Sequence, residues 1–331
     1  MPPTIFSTNS MTMWICVVVI FGNCLRNSAR LLRVMKTQNE LRWDSRKGGI
    51  PSALVDDERS LAPHPKKRLG QHFLTDPNIV KKIVAFADVH PAETVLEVGA
   101  GRGALTAALC RCASKVIALE IDTALVAYLR ATLTSYRNLE LNAIDALRFN
   151  YEHLATPVVV IGNLPYNIST PLLFRFFEAR AHITRMILML QREVAQRLVA
   201  RPGTKDYGVL SVLAQYFAIP HWGFRVSPSC FSPEPEVTSA VVRLVTRSDT
   251  LTDPEGSAWL VRTVRAAFQH RRKTLANAFR DAGFDNWYVE AALSAAGIAR
   301  QRRAETLSQE EFVAVARAFR QLRDSANGLR A

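Results

Sequence analysis

The segment Asn163–Tyr166, with the sequence Asn-Leu-Pro-Tyr, combines residue types that could hold and orient an amino group. It follows the apolar run Val158–Ile161, which predicts a buried strand. The Asn163 side-chain carbonyl and a backbone carbonyl beside Pro165 can both accept hydrogen bonds from one exocyclic amine, and Tyr166 can stack on the ring that carries it. The segment therefore predicts a site for an amino-bearing base, with an ordinary strand-to-helix turn as the alternative.

Three more predicted strands end in residues suited to a cofactor that contains a nucleoside. The strand at 94–98 runs into the glycine-rich loop 99–103, which lets a ligand approach the backbone closely. Glu120 ends the next strand and could accept from both hydroxyls of a ribose, and Asp145 ends the third and could accept from an adenine amine. Each acid alone could equally be a helix cap or a solvated loop residue, but together the three strand ends favour a nucleoside site. The loop and Glu120 leave both NAD and S-adenosylmethionine open as cofactors.

The segment Asn163–Tyr166 distinguishes between these two cofactors. Hydride transfer makes no use of acceptors that hold an amine, whereas methyl transfer to an exocyclic amine does. The lone pair of adenine N6 is delocalised into the ring, so two acceptors that orient its N–H bonds would direct the lone pair toward an electrophilic methyl group. No dedicated general base is evident in the sequence, and alignment of the reacting groups would supply most of the rate.

Strands and helices alternate along the middle of the chain, which indicates an α/β fold with a parallel, doubly wound sheet. The hydrophobic pattern predicts strands at 94–98, 115–121, 139–142, 158–161, 186–190, 222–226 and 239–245. It predicts helices at 78–87, 104–112, 123–134, 172–177, 192–200 and 209–217, and, beyond a linker at 248–255, at 258–280, 286–296 and 308–323. We therefore expect an extension at 1–65, a sheet domain at 66–247 and a small all-helical domain at 248–331.

The formal net charge of +13 and a pI near 9.9 indicate a polyanionic partner, and nucleic acid explains them more simply than a membrane does. Two basic groups stand out: one precedes a glycine turn, and the other lies in 258–280, which contains no acidic residue. A solvated surface face is the alternative for the second group. We predict nucleic-acid contacts for Lys66, Lys67, Arg68, Arg265, Arg271, Arg272 and Lys273.

The first 65 residues differ in composition from the rest of the chain. Residues 1–39 contain no acidic residue, and several arginines follow the apolar run Trp14–Phe21, the reverse of the order in a signal peptide. That run is too short to span a bilayer. We expect a disordered tail, or a translation start placed too far upstream, on a cytoplasmic protein. The alternative is an organellar protein with a transit peptide at 1–39.

The five cysteines are scattered along the chain without the spacing of a disulfide framework or a zinc site. Cys110 and Cys112 lie in an apolar helical stretch, which predicts buried free thiols. We therefore expect no metal site and a reducing compartment.

From Lys66 to about Arg320 the chain resembles the ribosomal RNA adenine dimethyltransferase family, specifically its bacterial small-subunit branch. Six motifs in family order carry the resemblance: Leu69–Leu74, Leu96–Gly103, Glu120–Asp122, Asn163–Pro171, Phe231–Ser239 and Arg303–Leu307. The resemblance implies a Rossmann-like class I methyltransferase sheet and an S-adenosylmethionine-dependent enzyme. Its expected reaction converts two adjacent adenines in the 3′-terminal hairpin of small-subunit (16S) rRNA to N6,N6-dimethyladenosine. The expected partner is an immature 30S particle, and the expected state of the enzyme is a monomer.

The same resemblance assigns roles to individual residues. It implies contacts to S-adenosylmethionine from His72, Leu74, Gly99, Gly101, Glu120, Asp145 and Asn163. It implies that the target base is held by Asn163, Leu164, Pro165 and Tyr166, with Phe231 as the second aromatic of the base pocket. The chain departs from the family where His72 replaces the usual Asn, and where Glu236 and Thr238 replace the usual Lys and Asp.

Two other functions stay open at this point. One is the related large-subunit rRNA methyltransferase type that confers macrolide resistance, although Asn163–Pro171 and Arg303–Leu307 favour the small-subunit branch. The other is a non-catalytic ribosome-assembly or transcription factor that keeps the fold only to bind nucleic acid. The intact Asn163–Tyr166 segment, glycine loop and acids argue against a loss of catalysis.

Overall fold

The computed structural model describes residues 62–248, 253–270 and 272–328. Its strands are β1 Phe73–Leu74, β2 Thr94–Val98, β3 Lys115–Glu120, β4 Leu139–Ala143, β5 Val158–Asn163, β6 Ile183–Gln191, β7 Ala218–Val226, β8 Phe231–Ser232 and β9 Ser239–Thr246. Its α-helices are α1 Pro77–Ala87, α2 Ala104–Leu109, α3 Thr123–Thr132, α4 Ser169–Glu178, α5 Arg192–Val199, α6 Val209–Phe217, α7 Pro254–Ala267, α8 Leu275–Asp281, α9 Asn286–Ala295 and α10 Gln309–Gly328. The predicted alternation of strands and helices is confirmed.

Seven of the strands form one sheet in the order β4-β3-β2-β5-β6-β9-β7. The pairs from β4 to β6 are parallel, as predicted, whereas β9 runs antiparallel to both β6 and β7. The direction of winding reverses between β2 and β5, and open α/β sheets bind their ligands at such a point. Val98 pairs with Gly162 there, and a Cβ on Gly162 would lie only 2.7 Å from the Val98 carbonyl oxygen. Gly162 therefore allows the strands that lead into the glycine loop and Asn163 to lie side by side.

The sheet is covered on both faces, because successive residues of its central strands pack into different apolar clusters. In β5, for example, Val160 joins one cluster and Ile161 joins the other. Helices α4 and α6 pack on the first cluster, and α1 and α2 pack on the second. Cys110 is buried and Cys112 is partly buried, and both are free thiols, as expected.

The carboxyl-terminal segment is helical, but the single helix expected over 258–280 is wrong. Helix α7 ends at Ala267, and α8 begins only at Leu275. Residues 269–273 carry no apolar side chain that could pack on the core. The chain turns there, with the Lys273 amide donating to the His270 carbonyl at 3.1 Å. The predicted contact residue Arg271 lies outside the described residues.

The terminal helices share their core with the sheet. The apolar cluster beneath α4 and α6 extends into α8 and α10, where it includes Phe279 and Phe312. The boundary at 247/248 therefore stays a prediction. Helix α10 begins with a capping box, in which the Glu311 amide donates to Ser308 Oγ (3.2 Å) and the Ser308 amide donates to Glu311 Oε2 (2.8 Å). No helix within the described ranges is long and apolar enough to cross a membrane, and the expectations for residues 1–61 lie outside those ranges.

A second, two-stranded sheet joins distant parts of the chain where no strands are predicted. Strand β1 pairs antiparallel with β8, so that Phe73 lies opposite Ser232 and Leu74 lies opposite Phe231. The Thr75 amide and hydroxyl both donate to the carbonyl of Cys230, at 2.9 and 3.0 Å. This pairing fastens the segment before the main sheet to the proline-rich loop 228–235.

Candidate active site

A cavity opens above the carboxyl ends of β2, β3 and β5, at the point where the winding of the sheet reverses. Its wall comes from five separate segments: the stretch around β1, the glycine loop, the end of β3, the loop after β4, and residues 163–168. The predicted site residues in this wall are His72, Leu74, Gly99, Gly101, Glu120, Asp145, Asn163, Leu164, Pro165 and Tyr166. The fold therefore brings all of the expected cofactor residues, and every expected base residue except Phe231, into one cavity.

The glycine loop has backbone angles that residues with a side chain would adopt only with strain. Gly99, Gly101 and Gly103 have φ angles of 79°, 57° and 83°, in the left-handed region that glycine adopts without strain. The Gly99 amide donates to the Leu119 carbonyl at 2.9 Å, which ties the loop to β3. A Cβ on Gly101 would lie 3.2 Å from the Phe73 ring, so the loop backbone passes directly beneath β1.

Arg102 connects the glycine loop to Phe73 and Pro63. The sequence pattern assigns this residue no role. Its guanidinium lies 4.5 Å from the centroid of the Phe73 ring, and its Nη2 donates to the Pro63 carbonyl at 3.1 Å. Pro63, which precedes the predicted boundary at residue 65, is thus connected to the loop through Arg102. A tertiary contact of this kind leaves no periodic signal in the sequence.

Glu120 is buried at the end of β3, with its carboxylate held by two backbone amides. Gly101 N donates to its Oε2, and Asp122 N donates to its Oε1, each at 2.9 Å. Burial raises the pKa of Glu120 above its ordinary value, and these two hydrogen bonds oppose that rise. Each carboxylate oxygen keeps a lone pair for another donor, so the group can accept from two neighbouring hydroxyls, as a ribose presents them.

The Asn163 side chain is oriented by the backbone of the β1 segment. Its Nδ2 donates to the His72 carbonyl at 2.9 Å. This hydrogen bond directs the amide nitrogen toward His72, so Oδ1 is the atom that can accept from a ligand. The sequence predicts this acceptor, but it carries no signal for the bond that sets its direction.

Two backbone carbonyls flank Pro165, and the structure separates their roles. The Pro165 carbonyl accepts from the Ile168 amide at 3.1 Å, in the turn that leads into α4. The Leu164 amide donates to the Met189 carbonyl at 3.1 Å, and the Leu164 side chain is buried, so its backbone is fixed. Within the described ranges, no group donates to the Leu164 carbonyl. The Leu164 carbonyl is therefore the one beside Pro165 that can still accept from a further donor.

Tyr166 is held at both its ring and its hydroxyl. The ring stacks on the His72 imidazole, with the ring centroids 5.8 Å apart and an angle of 24° between the planes. Its hydroxyl lies 2.7 Å from Ser239 Oγ, at the start of β9. Burial raises the pKa of Tyr166, so the hydroxyl stays protonated at neutral pH. Ser239 ends the motif Phe231–Ser239, but the sequence alone assigns it no role.

Phe231 does not reach the cavity in this structure. Its side chain is only 3% exposed and belongs to the apolar cluster that includes Ile79 and Val241. The physical reason is its place in β8, where pairing with Leu74 turns the ring into the core. A role for Phe231 as the second aromatic of the base pocket stays a prediction.

The predicted nucleic-acid contacts fall into two groups. Lys66 is engaged within the fold, because its Nζ lies 2.6 Å from the buried Asp122 carboxylate. Burial would raise the pKa of Asp122, but hydrogen bonds from Lys66 and Gln71 outweigh burial and lower it. Lys66 as a nucleic-acid contact stays a prediction, for a cation that already has a partner within the fold. The other described members of the set are exposed, namely Lys67, Arg68, Arg265, Arg272 and Lys273.

Two of the exposed cations also have partners in the protein. The Arg265 guanidinium lies 5.2 Å from the centroid of the Phe174 ring, and Lys273 forms an ion pair with Asp281. Asp281 lies one residue beyond the acid-free stretch 258–280, which is why the sequence pattern does not reveal this pair.

Comparison with known proteins agrees with this arrangement. Residues 63–321 match the family described as ribosomal RNA adenine dimethylase. Proteins named ribosomal RNA small subunit methyltransferase A are 43% identical over 264 residues in Moorella thermoacetica and 44% identical over 250 residues in Aromatoleum aromaticum. Each of these matches covers 76% of this chain and 92% of the relative.

Solved structures give the same picture. A dimethyladenosine transferase from Plasmodium falciparum superposes with a TM-score of 0.67 at 27% identity, covering 76% of this chain and 98% of that one. The 23S rRNA methyltransferase ErmE superposes with a TM-score of 0.59 at 27% identity, covering 75% and 100%. The predicted fold, a Rossmann-like class I methyltransferase sheet followed by helices, is confirmed. The chain belongs to the ribosomal RNA adenine dimethylase family.

Proposed function

We propose that this protein dimethylates the N6 atoms of two adjacent adenines in the 3′-terminal hairpin of small-subunit rRNA, with S-adenosylmethionine as the methyl donor. One observation carries the proposal: the acceptor pair of Asn163 and Leu164 shares a cavity with the glycine loop and Glu120. A cofactor site beside a clamp for an amine is the arrangement that N-methyl transfer requires. The resemblance to proteins named small subunit methyltransferase A supports the choice of RNA.

The described residues fit S-adenosylmethionine. The left-handed backbone of Gly99 and Gly101 leaves room for a ligand close to the loop, and the Glu120 carboxylate can accept from two ribose hydroxyls. Asp145 lines the same cavity and could accept from the adenine amine. When bound, the cofactor supplies a methyl group that its sulfonium makes electrophilic.

The protein residues would act on the target amine. Asn163 Oδ1 and the Leu164 carbonyl accept from the two N–H bonds of N6, which draws the lone pair out of conjugation with the ring and favours a pyramidal nitrogen. The same two dipoles stabilise the positive charge that develops on the nitrogen, which releases one of its protons to solvent after the methyl group is transferred. Tyr166 stacks on the ring, which fixes the direction of approach. A monomethylated amine keeps one N–H, so the second transfer relies on one acceptor only.

Basic residues outside the cavity would supply the rest of the affinity. Removing an adenine from its stack costs a few kcal/mol, and stacking on one aromatic side chain returns about 1–3 kcal/mol. The balance must come from neutralised phosphates, for which Lys67, Arg68 and Arg272 are exposed. We propose these residues as RNA contacts on an immature 30S particle, with the enzyme acting as a monomer.

Incorporation of tritiated methyl groups tests the proposal against its two rivals. Purified protein and labelled S-adenosylmethionine are mixed with immature 30S particles or with 50S particles, and the rRNA is digested to nucleosides. We expect label in N6,N6-dimethyladenosine from the 30S particles alone. Label from 50S particles would favour the large-subunit type, and binding to 30S particles without label would favour a non-catalytic assembly factor.

A further inference from the structure

His72 contacts two of the residues that would hold the target base, Asn163 and Tyr166. Its backbone carbonyl accepts from Asn163 Nδ2 at 2.9 Å, and its ring stacks on Tyr166. Its Nδ1 lies 2.8 Å from the Pro233 carbonyl, and Nδ1 is the donor because a carbonyl can only accept. One residue thus links β1, the segment after β5 and the loop after β8.

We propose that His72 is a positioning residue for the target base, whose ring sets the plane of Tyr166. This inference rests on the proposed function and adds to the cofactor contact that the family resemblance implies for the same position. The hydroxyl bond from Tyr166 to Ser239 fixes the far end of the side chain. A phenol held only at that end can still rotate about its long axis, and stacking on His72 opposes that rotation.

The imidazole is itself prevented from turning. Its hydrogen bond to the Pro233 carbonyl holds the imidazole ring in place. Pro233 follows directly after β8, which is paired with β1. The small β1–β8 sheet therefore fixes the orientation of the His72 ring, and the His72 ring in turn fixes the orientation of Tyr166. Because the His72 ring lies against one face of Tyr166, the proposed geometry leaves the opposite face for an incoming adenine. That face is presented in a fixed plane before the RNA arrives, so less ordering remains to be done on binding.

Two substitutions test the contribution of the His72 ring and that of its hydrogen bond to Pro233 separately. His72→Asn places an amide nitrogen where Nδ1 stands, so the donor to Pro233 is kept and the ring is lost. His72→Phe keeps an aromatic ring against Tyr166 and loses the donor. His221→Asn, at an exposed position on β7, is the matched control. Circular dichroism melting confirms that all three variants are folded.

The probe is an RNA hairpin with 8-vinyladenine at the target adenine, because this fluorescent base keeps the N6 amine and its fluorescence is quenched by stacking. We expect His72→Asn to raise the hairpin concentration at half-maximal quenching about 3- to 10-fold, the effect of losing one aromatic pair. The dissociation constant for S-adenosylmethionine, measured by calorimetry, should stay within about twofold of the wild-type value, because asparagine is the residue that the family usually has at this cofactor-contact position. His72→Phe should retain most of the quenching, and His221→Asn all of it.

The outcomes distinguish this inference from the proposed function. Wild-type quenching by His72→Asn, or an equal loss of hairpin and cofactor affinity, overturns the positioning role even if methyl transfer to 30S particles proceeds. Quenching that depends on His72 without any methyl transfer supports the positioning role and counts against the proposed reaction. No quenching by the wild-type protein counts against both.

Discussion

The Asn163 side-chain amide donates to the His72 carbonyl, 2.9 Å away and 91 positions earlier in the chain. This bond decides which end of the amide can meet a ligand, because it occupies the nitrogen and leaves Oδ1 as the acceptor. It also joins the β1 segment to the proposed base site as well as to the proposed cofactor site. The Asn163–Tyr166 segment and the β1 segment are therefore directly connected.

Asn163→Ala should reduce methyl transfer by at least about 100-fold, since it removes a preorganised dipole from the developing charge. Loss of the bond to His72 should cost only about 1 kcal/mol of unfolding free energy. Initial rates with 30S particles and urea unfolding check the two effects separately. Asn286→Ala, at an exposed position on α9, is the control, and near-normal transfer by Asn163→Ala would exclude the proposed mechanism.

Gly101→Ala and Gly203→Ala should destabilise the fold similarly, by about 1–2 kcal/mol each, because both glycines have positive φ. Only Gly101→Ala should also weaken S-adenosylmethionine binding, since its Cβ would meet the Phe73 ring, whereas nothing lies within 4 Å of a Cβ on Gly203. Chemical unfolding and calorimetric titration measure the two quantities. Equal cofactor affinity in both variants would show that the shape of the loop does not matter for binding.

Cofactor affinity should fall as the pH is lowered through the pKa of Glu120. Burial raises this pKa, so the carboxylate that accepts the ribose hydroxyls is lost at a higher pH than for a free glutamate. Glu120→Gln should bind S-adenosylmethionine about 10- to 100-fold more weakly at pH 8 and show little dependence on pH. Titrations from pH 5 to 8 test this, with Glu140→Gln as the control on β4. A wild-type affinity that does not change with pH would contradict the role of the ionised group.

Lys66→Met should lower the free energy of unfolding by about 1–2 kcal/mol at neutral pH, because it leaves the buried Asp122 carboxylate short of a donor. The pKa of Asp122 is lowered in the folded protein, so this stabilisation is fully present above the ordinary aspartate pKa and disappears as the pH falls through the lowered value. Melting from pH 2.5 to 7 measures the effect. Lys115→Met should cost less, since its pair with Glu140 is half exposed. A loss that persists at the acid end would point to another cause.

Lys67→Met and Arg68→Met should each reduce the slope of log affinity against log salt concentration by roughly one for 30S rRNA, if each cation neutralises one phosphate. Lys66→Met should leave that slope almost unchanged, because its ammonium is already paired with Asp122. Filter binding at several potassium concentrations gives the slopes. A slope that changes with Lys66 as much as with Lys67 would show that the ion pair opens on RNA.

The sequence predicts the strand ends well, because buried parallel strands have a strong apolar signature and their carboxyl ends must meet. That logic places Gly99, Glu120 and Asn163 in one cavity without any coordinates. It does not predict β1 and β8, since two-residue strands have no periodicity and their partners are far apart in the chain. It does not reveal that β9 is antiparallel, because burial on both faces is the same for either direction.

Side-chain partners are the other part that the sequence does not reveal. Lys66 and Lys67 are neighbours of the same type, yet one is bound to Asp122 and the other is exposed. The apolar character of Phe231 is compatible with a base pocket and with a core, and only the pairing of β8 with β1 decides for the core in this structure. Such choices depend on contacts between segments, which no local pattern records.

The small β1–β8 sheet also bears on how the enzyme is made. The ribosome synthesises the chain from its amino terminus, and His72 must wait for Pro233, 161 positions later, before its ring can be held. The five parallel strands of the main sheet, β2 to β6, are all synthesised earlier than that. A nascent chain therefore contains every parallel strand before the residue that holds the His72 ring has been added. The protein becomes competent to modify ribosomes only after nearly all of its own methyltransferase unit has been translated.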